Sequence, residues 1–386
     1  MVDEKEKSTC SGCGACAAAC PKQCITMEAD ERGFPYPRID RDACVACRAC
    51  DAVCESAAEK PAKDTVPRAF GLRAKDRSLL LQSSSGGVFS LLAERVLEKG
   101  GIICGAAMTE DLRGVRHVFA ESREELDALR GSKYVQSRTD GIYPRIRDAL
   151  EGGRAVLFSG APCQVDGLKA YLGREDEALF CVDFFCHGVP SPLVWEKTCG
   201  ELEKKHGGRI TDVRFRDKKS GWAASELCFT LNGKRELRRD KKTDPYLRLF
   251  LGNYSLRPSC FACAHKGLAR RSDVTLADFW GVRQLAPELY SGDGVSLALA
   301  HSEKGAQLLE GLDAVAQPVD AREAAGRNKA GLNSVVKPPQ YEEFWAALRT
   351  SGIEKLADRF VPVDPKTKLK SWVRRSPVGS LLKKGR

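Results

Sequence analysis

Cys10, Cys13, Cys16 and Cys20 fall at C-x2-C-x2-C-x3-C spacing followed by Pro21, and the run returns as Cys44, Cys47, Cys50 and Cys54. Nothing else in the chain constrains its folding as tightly. A 4Fe-4S cubane needs four thiolates closing on one inorganic core, and three cysteines two residues apart put three sulfurs on a tight loop. The fourth must come from elsewhere, and in proteins with two such clusters the last cysteine of each run ligates the other cluster. The spacing therefore assigns Cys10, Cys13, Cys16 and Cys54 to a first centre, and Cys44, Cys47, Cys50 and Cys20 to a second. Zinc sites use pairs of C-x2-4-C instead of triplets with a trailing cysteine, and disulfide frameworks belong to short secreted chains. Cys24 fits no ligand slot and reads as a small buried hydrophobe. Glu55 stands where this run normally carries proline, which implies a looser turn and leaves ligation untouched.

Two clusters need only a small module, and 386 residues exceed one ordinary domain. The expected partition is a bacterial-type two-cluster ferredoxin domain at 1–60 and a body large enough to bury its own core. Seventeen cysteines without an amino-terminal apolar run predict a reducing, cytoplasmic setting. No stretch approaches the roughly 20 apolar residues that span a bilayer, so no transmembrane segment is expected. The net charge is +10, but eight basic residues and no acidic one lie between Lys366 and Arg386, and removing those eight leaves +2. That excess reads as a solvated tail, with contact to an acidic partner, anionic lipid or nucleic acid as its other reading. Its only aromatic residue is Trp372, too few for a base-stacking platform, so nucleic acid is not an expected partner.

The polar, proline-bracketed stretch from Glu59 to Pro67 reads as a linker. Ser83-Ser84-Ser85-Gly86-Gly87 then feeds a helix whose apolar positions recur from Val88 to Leu97. A glycine pair opening a helix is a natural anion cradle, though a serine cap with glycines for tight packing explains it as well. Buried strands are expected at 101–108, 115–120, 155–158 and 179–185, with helices at 122–130, 140–151, 163–172 and 192–205 between and after them. Alternating strands and helices predict a mixed α/β body with helices on the faces of a sheet. Such sheets bind ligands where strands end at loops, and Cys163 and Cys186 lie at two such ends. Asn232-Gly233 suits a type I′ hairpin. Cys260-Phe261-Ala262-Cys263 is an isolated C-x2-C, and taken alone it leaves a cluster, a zinc site and simple packing all open.

Five segments together resemble the family of coenzyme F420 hydrogenase and dehydrogenase beta subunits: 83–90, 130–137 (Arg-Gly-Ser-Lys-Tyr-Val-Gln-Ser), 160–164, 186–192 and 272–281. They stand in family order behind the double cysteine run. The resemblance implies an iron–sulfur flavoprotein oxidoreductase whose body binds FAD and exchanges electrons with a two-electron carrier. That carrier is a deazaflavin of the F420 type or another small organic acceptor. Clusters move electrons singly and hydride carriers move them in pairs, so a flavin is a reasonable adaptor. The alternative is a non-catalytic subunit wiring a partner hydrogenase or dehydrogenase; ferredoxin or a redox partner subunit is expected in either case.

The resemblance also implies a third 4Fe-4S cluster on Cys163, Cys186, Cys260 and Cys263. For FAD it points to Ser83, Ser84, Ser85, Gly86 and Gly87 as phosphate cradle, with Lys133 beside Gly131, Ser132 and Tyr134. Ser159, Gly160 and Pro162 are placed near the flavin ring. His187 is the candidate proton donor, with loop orientation as its other reading, and Lys218 the candidate contact for an acidic substrate, with a solvated charge as its other reading. The expected divisions are a linker at 61–75, halves of the flavin body at 76–180 and 181–345, and a helical, basic tail at 346–386. Cys104, Cys181, Cys199 and Cys228 are expected in the core.

Overall fold

The computed structural model describes residues 1–54 and 65–367. Glu55, the first part of the linker and the basic tail with Trp372 lie outside them. In the amino-terminal module, β1 (Ile25–Ala29) and β2 (Pro35–Ile39) pair antiparallel, Ile25 opposite Ile39. Each cysteine loop closes in a single helical turn, Ala15–Ala18 and Ala49–Ala52. Inward residues Val2, Cys24, Ile25, Ile39 and Cys50 form a small core against which Cys16, Cys20, Cys44 and Cys54 pack.

The body is built on a nine-stranded mixed sheet: β3 (Arg68–Ala74), β4 (Ile102–Met108), β5 (Val115–Ala120), β6 (Ser137–Arg138), β7 (Val156–Ser159), β8 (Leu179–Phe184), β12 (Val274–Asp278), β13 (Ser296–Ala300) and β14 (Ala314–Val319). Their order across the sheet is β14-β3-β13-β12-β8-β7-β4-β5-β6. β12, β8, β7 and β4 run parallel at its centre. Every residue of β13 is buried, as expected of a strand covered on both faces. A second sheet carries β9 (Ile210–Asp217), β10 (Glu226–Leu231) and β11 (Arg235–Asp240), all antiparallel. Asn232 and Gly233 both take positive φ, 49° and 68°, the geometry a type I′ turn requires. Against this sheet pack the helices Pro192–His206, Pro245–Leu251, Tyr341–Leu348 and Ile353–Phe360, enclosing Trp195, Phe229, Tyr246 and Phe344.

Three expected divisions are corrected. Residues 68–74 are no linker but β3, bonded on one side to β13 and on the other to β14. The cut at 180/181 separates nothing, because β7 and β8 pair directly, Phe158 opposite Cys181. The cut at 345/346 falls inside a helix, and Ile353–Phe360 belongs to the core: Arg248 donates to the Ala357 carbonyl at 2.6 Å and to Asp358 at 2.9 Å. Cys104, Cys181, Cys199 and Cys228 are buried. Among the described residues no helix is long and apolar enough to cross a membrane.

Candidate functional site

The module is seated on the body through its first cysteine loop. Thr139 Oγ1 and Tyr143 Oη donate to the Cys13 carbonyl at 2.7 and 2.8 Å, and Gln136 Nε2 donates to the Ser11 carbonyl at 3.1 Å. The helix Pro162–Leu172 offers Gly167 to this loop, where a Cβ would stand 2.8 Å from Cys13 Sγ. Only a residue without a side chain permits that approach. Cys54 comes beside Cys10 and Cys16: burial pushes the Cys16 thiol up to about 12, and the neighbouring Cys10 and Cys54 sulfurs push the same way. Cys20 and Cys24 lie 3.4 Å apart, sulfur to sulfur. The second loop faces away from this seat, with Val45, Ala46 and Cys47 exposed.

Arg257 meets the first loop from the body side and is completely buried. Its Nε donates to the Cys10 carbonyl at 2.7 Å, Nη1 to Gln136 Oε1 at 3.2 Å and Nη2 to the Pro35 carbonyl at 3.0 Å. Nη2 also lies 3.6 Å from Cys10 Sγ, and the guanidinium sits over the Tyr36 ring at 4.1 Å. No carboxylate is among its partners in the described residues. A buried cation held only by neutral groups is costly. The thiolate-ligated, anionic cluster that Cys10 would hold removes that cost, so these residues fit the group. Among the described residues no set of three or more His, Cys, Asp or Glu side chains gathers at single-ion distance. Thiolates around a four-iron core stand farther apart than those around one zinc.

In the body, Cys186, Cys260 and Cys263 come together. Burial pushes the Cys260 thiol up to about 12, with Cys186 and Cys263 adding to it, and Val189 N donates to Cys260 Sγ at 3.4 Å. Lys266 Nζ holds the Cys186 carbonyl at 2.5 Å. Cys163 lies on the helix that carries Gly167, and this helix is tied to the C-x2-C loop by His265 Nδ1 and Asp166 Oδ2, 2.8 Å apart.

The carboxyl ends of β7 and β8 open into a cavity of about 550 Å³, within the size range of cofactor sites. It brings together Ser83–Ser85, Gly131–Tyr134, Ser159–Gly160 and Cys186–His187. Ser84 Oγ accepts from Ser132 N at 2.7 Å, joining the first two loops, and Ser85 Oγ donates to the Val295 carbonyl at 2.9 Å. Ser83 Oγ is buried without a partner in the described residues. Lys133 Nζ donates to the carbonyls of Ala128 and Arg130 at 2.8 and 2.7 Å, and burial pulls its amine down to about 7. An orphaned hydroxyl and a desolvated amine beside a cavity of this size fit a phosphate-bearing cofactor. His187 lines the same space; its Nε2 is 2.8 Å from Asn253 Oδ1, and burial lowers its basicity.

Three expectations are corrected here. Lys218 is no solvated charge and does not line the cavity: it is buried, donating to the carbonyls of Ser85 at 3.0 Å and Asp293 at 2.5 Å. Gly86 is a packing glycine with no place in a cradle. Its amide donates to Ser296 Oγ at 2.9 Å, and an added Cβ would stand 2.5 Å from Ser296 N and against the Leu72 carbonyl. Pro162 starts the helix after β7 and does not line the cavity, whereas its neighbours Gly160 and Ala161 do.

Several lining residues went unread in the sequence. Trp280, 40 % exposed, stacks on Trp222 at 4.8 Å with Arg216 and Lys241 over its ring. Arg216 pairs with Asp278 at 2.5 Å. Buried His117 bridges Ser137 Oγ at 2.8 Å and the Ser159 carbonyl at 3.1 Å. Trp280 and Asp278 fall inside the 272–281 segment; Arg216, His117 and, outside the cavity, Arg257 carry no spacing signal.

Paired cysteine runs packed against a body of this kind define an iron–sulfur redox protein. The chain belongs to the family of coenzyme F420 hydrogenase/dehydrogenase beta subunits. The family's N-terminal model matches residues 69–141 and its C-terminal model residues 153–319, together more than half of the chain, and a 4Fe-4S dicluster model matches 9–58. The amino-terminal module is thus a 4Fe-4S-binding domain. The chain is 25 % identical over 237 residues to a subunit of the F(420)H(2) dehydrogenase of Methanosarcina mazei, covering 54 % of this chain and 62 % of that protein. To the coenzyme F420-dependent sulfite reductase of Methanocaldococcus jannaschii it is 22 % identical over 410 aligned positions, covering 98 % and 58 %. It spans about three fifths of the length of these curated relatives. A chain of the F420-reducing NiFe hydrogenase complex of Methanosarcina barkeri superposes with a TM-score of 0.44 at 18 % identity, over 81 % of this chain and 92 % of that one.

Proposed function

We propose that this chain is an iron–sulfur flavoprotein oxidoreductase subunit that passes single electrons between two 4Fe-4S clusters, a third on Cys163, Cys186, Cys260 and Cys263, and FAD in the cavity. The flavin exchanges electron pairs with a small-molecule carrier, an F420-type deazaflavin or another organic acceptor. The relatives' names favour the deazaflavin, and a ferredoxin or partner subunit completes the circuit.

The observation that carries the reading is the cavity. Its lining includes the Ser83–Ser85 and Gly131–Tyr134 loops together with Cys186, which supports a cofactor held there beside the body's cysteine group. When bound, FAD supplies the change from one-electron to two-electron transfer. The chain's own residues do the rest. Ser83 and Lys133 hold phosphate, Tyr134 packs on Phe250 to wall the site at 5.2 Å between ring centres, and Asn253 fixes the His187 ring. The test is anaerobic purification with iron, sulfide and flavin analysis, followed by dithionite reduction and a screen of two-electron acceptors. Bound FAD and acceptor turnover are expected. Clusters without flavin would instead make the chain an electron-transfer wire for a partner enzyme.

A further inference from the structure

Arg257 does more than compensate charge at rest. Its side chain grips Cys10 at both carbonyl and sulfur, while its own carbonyl accepts from Cys260 N at 3.0 Å. One residue thus bridges the first centre of the module and the cysteine group of the body. Its guanidinium is wholly buried, so neither solvent nor salt screens it. A cluster becomes more negative when it accepts an electron, and a fixed cation in a low-dielectric site stabilises that reduced form. Hydrogen bonds to the ligating sulfurs act in the same direction. Around the second loop the arrangement is opposite: Cys47 is exposed, and Arg48 turns to Asp51 at 3.3 Å.

We propose that Arg257 is the buried counter-charge of the first centre, raising its reduction potential so that an electron entering through the exposed second centre is drawn toward the body. This rests on the 4Fe-4S reading of the two cysteine runs. Arg257 is a positioning residue: it acts through Cys10 and touches no substrate.

The test is an EPR-monitored redox titration of the anaerobic full-length chain as wild type, Arg257→Gln and Arg257→Lys, with iron and sulfide counted in each. In Arg257→Gln, one cluster signal should titrate at a more negative potential while the others stay in place. Arg257→Lys, which keeps the charge and loses the fork, should recover most of the shift. Loss of about four irons from Arg257→Gln but not from Arg257→Lys would equally support the counter-charge. Unmoved potentials at full iron, or a lysine variant that behaves as the glutamine one, would overturn it. A wild-type chain without iron would sink the cluster reading itself, which the iron count separates from failure of this proposal.

Discussion

Lys218 Nζ donates to the carbonyl oxygen of Ser85 at 3.0 Å, fastening the loop before the helix Val88–Glu98 to the loop that carries Asp293. A charged side chain is thereby used as a buried clamp. Lys218→Met removes this donor from two half-buried carbonyls, at a cost of at most about 1–3 kcal/mol for each group that water does not reach. The expected result is a lower denaturant midpoint and faster flavin release, read by chemical unfolding and by loss of flavin fluorescence quenching. An unchanged release rate would show that Ser84 and Ser132 hold the loop alone.

On the proposed flavin reading, Lys133 is expected to make cofactor binding pH-dependent. Burial holds its amine at about 7, against about 10.4 in an unfolded chain. Between these values the unfolded chain binds a proton that the folded chain does not, so the cofactor-free protein gains stability as pH rises through that window. Below about pH 7 both states are charged and the full penalty of burying the cation is present. A phosphate beside the amine reverses the preference, so binding takes up a proton and weakens above pH 7. Calorimetry in two buffers of different ionisation enthalpy should show this uptake in wild type and not in Lys133→Met. Equal heats in both buffers would remove Lys133 from the phosphate site.

The cysteine runs and the central strands were legible because both are local patterns: spacing in the first case, apolar runs ending at turns in the second. β3 was not. Its Arg68 and Arg73 give it a charged look next to a polar stretch, and the strands that pair with it come only at 296–300 and 314–319. Lys218 reads as surface charge among Arg216, Asp217 and Lys219, yet it follows directly on β9 and its amine bonds the Ser85 loop. Gly86 illustrates a different limit: glycines that admit a phosphate and glycines that admit a neighbouring strand look alike until the neighbour is placed.

Gly167→Ala tests how the module is seated. The new methyl would stand 2.8 Å from Cys13 Sγ and 3.3 Å from Tyr143 Oη. Helix propensity favours alanine, so a loss cannot come from the helix itself. The first centre should lose iron, about four per chain, while the cavity still binds flavin. Full iron content in this variant would mean that the first loop can shift without losing its cluster.

The third cluster is decided by counting. Cys186, Cys260 and Cys263 lie together, and the helix bearing Cys163 is bound to their loop through Asp166 and His265. Three cubanes require about twelve irons per chain, so Cys260→Ser with Cys263→Ser should leave about eight. Each serine keeps the shape of the cysteine side chain and is slightly smaller, so the fold and the two module centres should persist, and their EPR signals serve as the internal control. Asp166→Asn is the subtler companion: it weakens the tie to His265 without touching a thiol, and should leave all twelve irons while making one set of four easier to remove with chelator. About eight irons in both wild type and the double cysteine variant would show that these cysteines are packing residues. Electrons would then have to pass directly from the first centre to the cavity.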